Sequence, residues 1–167
     1  MRTRRHLVER RAGARWSWRG EASRAEWCSP RHYSTRALVD HELRCDLRDD
    51  EVLVTWRGGI AAVAACPNVS VKLGGIGMPR TGFDWHARSA PIGSEELAAS
   101  MAPFMTYCIE QFGPTRCMFE SNFPVDKVSY SYNVMYNAFK RLSKGYSAAE
   151  RAAMFHDTAA RVYRIDV

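Results

Sequence analysis

Long apolar runs are missing from this chain of 167 residues. None approaches the roughly 18 residues of a membrane-spanning helix, so a membrane partner is not expected. The N-terminus lacks the apolar core of a secretory signal, and Glu9, Glu21 and Glu26 count against a transit peptide. The five cysteines (28, 45, 66, 108, 117) form no CxxC or CxxxC pair, which excludes a structural zinc site of the usual spacing. Scattered and odd in number, they suit reduced thiols in the cytoplasm better than a disulfide framework. There is no internal repeat and no low-complexity tract. The length suits one domain with a real core, but it is short for a closed (β/α)8 barrel of about 250 residues.

What is present is unevenly spread. Residues 1–36 hold ten arginines against three acids, a net +7, while the rest of the chain carries 14 basic and 15 acidic side chains, a net −1. The overall +6 therefore belongs to the N-terminal stretch. A basic arm can bind nucleic acid or an acidic surface. Here the basic residues show neither a helical face nor interleaved stacking aromatics. Residues 1–36 are accordingly read as a basic leader, disordered or non-native, and nucleic acid is not the expected partner.

From residue 37 the texture becomes that of alternating strands and helices. Ala37–Asp40 reads as a short buried strand. Asp49 and Asp50 can cap a helix whose apolar positions, Val52, Leu53, Trp56, Ile60, Val63 and Ala64, share one face. Val69–Leu73 reads as the next strand, ended by Gly74-Gly75. A long loop over 74–93 follows, and such loops in compact domains are disproportionately functional. Ser94 is placed as the cap of a helix running to Phe112, stopped by Gly113-Pro114. A strand over 116–120 comes next, then a helix over 129–143. Ser147-Ala-Ala-Glu150 has the form of a capping box, and Asp157 or Thr158 is placed as the cap of a final helix to Tyr163. This order predicts an α/β fold with a parallel sheet built from βαβ units.

Arg116-Cys-Met-Phe-Glu-Ser-Asn-Phe-Pro-Val-Asp126 is the most informative segment. An apolar strand stops abruptly at polar residues, and α/β folds gather their sites at the carboxyl ends of such strands. This segment belongs to a series of blocks. The others are Trp56-Arg-Gly-Gly-Ile60, Cys66-Pro-Asn-Val-Ser-Val-Lys-Leu-Gly-Gly75, Ser94-Glu-Glu-Leu97 and His156-Asp-Thr-Ala-Ala-Arg-Val-Tyr163. Together, over residues 48–167, they resemble the amidohydrolase-related family, metal-dependent hydrolases of TIM-barrel fold. The resemblance implies a partial (β/α)8 TIM barrel over residues 37–167, with strand seven at 69–73, strand eight at 116–120 and a remnant of strand six at 37–41. It implies hydrolysis of a small carbonyl substrate, a lactone, ester or amide, with a divalent metal, zinc or manganese. A homo-oligomer is compatible with it. The alternative is a non-catalytic binding module, a barrel portion with a basic tail.

The resemblance also assigns residues. Its metal sites use a His-x-His after strand one, further histidines after strands five and six, and an Asp after strand eight. The five histidines here (6, 32, 41, 86, 156) are all isolated. His41 falls where the strand-six ligand would stand. Asn122 falls where the family pattern has its Asp, and an amide cannot act as a base near neutral pH. Its carbonyl oxygen can contact a metal, its amide can orient a substrate, or it can cap the turn before Pro124. Asp126 is the nearby carboxylate, read either as a substitute or as a cap of the following helix. Glu120 reads as an acid/base at the strand end or as the ion-pair partner of Lys72 on the adjacent strand. His86 and Trp85, in the long loop, and Lys72, near the end of its strand, are the candidate substrate contacts.

Overall fold

The computed structural model describes residues 32–34 and 49–166. Three short strands, β1 (His32–Ser34), β2 (Ser70–Leu73) and β3 (Cys117–Phe119), form one parallel sheet in the order β1-β2-β3. Helix α1 (Asp50–Ala64) lies between β1 and β2 in sequence, and α2 (Ser94–Phe112) between β2 and β3. The chain ends in α3 (Tyr132–Leu142), α4 (Ala148–Ala152) and α5 (Thr158–Tyr163). Among the described residues the strands do not close a barrel. Strand β1 lies inside the stretch read as an irregular leader, and its three residues are too few to show a periodicity. The strand expected at Ala37–Asp40 lies outside the described residues.

The register sets the site. Val71 pairs with Cys117, Lys72 with Met118 and Leu73 with Phe119. Side chains alternate across a strand, so Val71 and Leu73 are buried while Lys72, between them, is only partly so. The parallel pairing continues one step past β3, where the Glu120 N–H donates to the Leu73 carbonyl over 3.1 Å. Both strands therefore run out at the same level.

The helices cover this sheet through one apolar core. Asp49 caps α1 by accepting from the backbone N–H groups of Glu51 and Val52. Helix α1 buries Trp56, Ile60 and Val63, and Trp56 meets Phe104 of α2 edge-on at 5.6 Å. Phe119 at the end of β3 stacks on Phe139 of α3 at 4.5 Å. Arg116 joins the layers: its guanidinium donates to the carbonyls of Ala64, Cys66 and Val69 and to that of Phe112, at 2.8–3.3 Å. The Ala64 and Phe112 carbonyls end α1 and α2, where helical partners are lacking, and those of Cys66 and Val69 lie in the turn between α1 and β2.

Two expected caps are absent. Gly93, not Ser94, precedes α2, and the Ser94 hydroxyl oxygen instead accepts from Arg141 Nε at 3.2 Å. The Ser147–Glu150 capping box forms as expected. The helix it opens does not stop at Asp157, though. It passes through a π-turn (Ala153–Asp157) into α5, with the Thr158 hydroxyl donating to the Thr115 carbonyl at 3.1 Å.

Candidate functional site

Polar groups collect where β2 and β3 end. Lys72 and Glu120 form an ion pair there, with side-chain exposures of 31% and 17%. Gly74 makes the pairing possible. A Cβ on Gly74 would overlap the Glu120 backbone and its Cγ, so only glycine lets the glutamate lie across the end of β2. The ion-pair reading of Lys72 and Glu120 thus describes the geometry, and the pair stays accessible from one side.

Beside it lies a buried carboxylate. Asp126 is 0% exposed. Its Oδ2 accepts from the Gly77 backbone N–H at 3.2 Å and from the Tyr130 hydroxyl at 2.9 Å. Its Oδ1 accepts from Asn122 Nδ2 at 2.6 Å. Asp126 therefore does not cap the next helix. Ser131 does so, accepting from the Val134 N–H, while Asp126 sits in a 3₁₀ turn (Val125–Val128) and ties the loop after β2 to the loop after β3. The Ser129 hydroxyl donates to the Gly77 carbonyl and adds a second tie. At Gly77 a Cβ would come within 2.6 Å of Tyr130 Cζ and 2.8 Å of Asp126 Cγ, so no larger residue fits.

Asn122 is half-buried, with φ at 49° in the left-handed region, which asparagine tolerates better than most residues. Its side chain bonds Asp126, and its carbonyl accepts from the Asp126 N–H at 3.2 Å. The residue is pinned at both ends.

The loop candidates divide. Trp85 is 6% exposed, stacked on Phe83 at 4.3 Å and tilted against Tyr130 at 5.8 Å. It packs against the tyrosine that donates to Asp126. His86, next to it, is exposed. His156 pairs on the surface with Asp157 at 2.8 Å. His41 lies outside the described residues.

Tyr130, Gly77 and Ser129 were not singled out in the sequence. The one local signal was the spacing of Asp126 and Tyr130, four residues apart and so neighbours on a helical turn. Burial, reinforced by the Asp126 charge and hydrogen bond, raises Tyr130 well above the usual phenol range. It therefore stays a neutral donor to the carboxylate.

Among the described residues, the zinc or manganese ion implied by the resemblance finds no donor set. Among the described residues no three His, Cys, Asp or Glu side chains come together. Asn122 turns its nitrogen, not its oxygen, toward Asp126, and Asp126 is engaged by hydrogen-bond donors.

Known proteins with similar sequences and folds agree with one another. A family profile described as amidohydrolase matches residues 30–165. The chain is 40% identical over 110 residues to an uncharacterized protein of Sinorhizobium fredii, covering 66% of this chain and 33% of that one. It is 33% identical over 146 residues to an L-fucono-1,5-lactonase of Burkholderia multivorans, covering 84% of this chain and 44% of the relative. Two crystal structures of an amidohydrolase from Burkholderia multivorans, one with bound HEPES and one with bound zinc, superpose with TM-scores of 0.66 and 0.64 at 28% and 27% identity. In each case 81% of this chain is covered, and 44% of the other. The chain thus spans less than half the length of these relatives. With most of its length matched by the profile and the same fold recovered at these identities, the chain belongs to the amidohydrolase family.

Proposed function

We propose that the corner formed by the ends of β2 and β3 binds and hydrolyses a small carbonyl substrate, with a sugar lactone such as L-fucono-1,5-lactone first among the candidates. One observation carries the reading. In a chain of this family, Lys72, Glu120, Asn122 and Asp126 gather at the carboxyl ends of two adjacent parallel strands, where enzymes of barrel architecture keep their sites. The naming of one relative as a lactonase supports the substrate class. The reading takes the chain as part of a TIM barrel, acting as a homo-oligomer or with the remaining strands supplied.

The chemistry falls to protein groups. The Lys72 ammonium stabilises the oxyanion that develops on the carbonyl when water attacks. The Glu120 carboxylate, held against Lys72, orients that water, receives its proton, and returns it to the leaving oxygen or nitrogen as the tetrahedral intermediate collapses and the acyl C–O or C–N bond breaks. Backbone groups of the loop after β3 orient the substrate carbonyl. A bound zinc or manganese ion would supply a more acidic water and polarise the carbonyl. The described residues do not furnish its ligands, so no step here depends on it.

A second reading keeps the same corner as a non-catalytic binding site, with the basic N-terminal stretch as a tail. It is favoured by the anchoring role of Asp126, whose hydrogen bonds are internal. A hydrolysis screen over lactones, esters and amides, with zinc or manganese added, separates the two. Turnover above the spontaneous rate supports the hydrolase. No turnover, with binding that collapses as salt is raised, supports a tail-driven binding module.

A further inference from the structure

We propose that Asn122 is a specificity-determining residue, accepting a hydrogen bond from a hydroxyl of the substrate, and that Asp126 is the positioning residue that fixes this role. The inference rests on the hydrolase reading above.

The orientation of the amide follows from its partner. Asp126 Oδ2 receives a backbone N–H, which can only donate, together with the Tyr130 hydroxyl. An ionised carboxylate accepts and never donates. The structure accordingly places the Asn122 nitrogen toward Asp126 Oδ1, at 2.6 Å. With the amide flipped, two acceptor oxygens would face each other.

This leaves Asn122 Oδ1 on the other side, with no hydrogen-bond partner among the described residues, on a half-buried side chain beside the Lys72–Glu120 pair. An acceptor held in one orientation and open to solvent can exchange water for a ligand donor without reorganising. An amide oxygen takes no proton in the neutral range, so its complement is a donor on the substrate. In a polyhydroxylated lactone that donor is a hydroxyl.

Asn122 cannot easily turn away. Its left-handed backbone is held by the Asp126 N–H, its side chain by the Asp126 carboxylate, and that carboxylate by Gly77 and Tyr130 from two loops. A site built to bond a substrate hydroxyl discriminates strongly against an analogue lacking it, because its own polar group is then left unpaired.

The test compares L-fucono-1,5-lactone with δ-valerolactone, which has the ring ester but no hydroxyls, on the full chain. Asn122→Gly removes the amide and suits the positive φ, so the backbone is not strained, and a thermal melt checks that the variant is folded at the assay temperature. For the sugar lactone its kcat/KM should fall by roughly 10- to 100-fold, mainly through KM, and for δ-valerolactone by less than about 2-fold. Asp126→Asn lets the amide turn and should show the same split, and Tyr130→Phe a weaker one. Equal losses on both lactones overturn the proposal. If the parent chain hydrolyses neither, the hydrolase reading fails, and binding decides this inference by saturation-transfer NMR. Sugar-lactone binding lost in Asn122→Gly upholds it. Binding that is unchanged, or absent from the parent, overturns it.

Discussion

At the scale of single residues, Asn122 and Asp126 are the centre of the account. The amide serves here because a carboxylate in its place would face another carboxylate. Asn122→Asp puts two acids at the distance where Nδ2 now meets Asp126 Oδ1, 2.6 Å. Like charges that close raise the folded-state pKa of the pair above its unfolded value. The folded variant then binds protons more tightly than the unfolded one, so its stability falls as pH rises through the carboxylate range. Thermal melts should find the variant close to the parent near pH 4 and destabilised by about 1–3 kcal/mol at pH 8. A deficit independent of pH would contradict the assigned geometry. Part of this corner was legible in the sequence. Lys72 and Glu120 alternate outward from adjacent strand ends, and that local pattern was enough to pair them. The anchoring of Asp126 was not legible, because its Gly77 partner is 49 residues away and donates through its backbone, which no side chain marks.

At the scale of elements, the strands and helices were placed by periodicity, and most errors fell at their ends. Ser94 and Asp157 are residue types that cap helices. In both places a tertiary contact decided otherwise, Arg141 at Ser94 and the packing of Thr158 on Thr115 at the π-turn. Arg116 shows how much an element boundary can depend on one side chain. Its fork joins the ends of α1 and α2 just before β3, and so holds the strand that presents Glu120 and Asn122. Arg116→Ala should destabilise the fold by about 2–3 kcal/mol, since several carbonyls lose a charged donor together. Arg116→Lys should recover little, because an ammonium cannot reproduce the planar fork. Chemical denaturation of both variants measures this, and full stability in either would show the clamp to be dispensable.

At the scale of the whole molecule, the alternation of strands and helices gave the parallel sheet correctly, and the quoted blocks gave the family. The first strand escaped notice because three residues carry no pattern. Among the described residues β3 pairs on one side only, and the chain beyond it exposes Val125, Val128 and, at the start of α3, Tyr132. An open strand edge next to apolar side chains promotes association. Light scattering after size-exclusion chromatography should show mass rising with protein concentration, and Val128→Lys should reduce the rise. A concentration-independent monomer would contradict this.

The central claim is that the paired charges at the ends of β2 and β3 act on a lactone carbonyl. The most direct measurement is the initial rate of L-fucono-1,5-lactone hydrolysis, followed by acid release, for the parent and for a Lys72→Met, Glu120→Gln double variant. Changing both partners together avoids leaving one charge unpaired. Val54→Ala, at a position 71% exposed on α1, is the control. Turnover above background is expected for parent and control, and a fall of about 100-fold or more for the double variant. A parent no faster than spontaneous hydrolysis, or a double variant as fast as the parent, would contradict it.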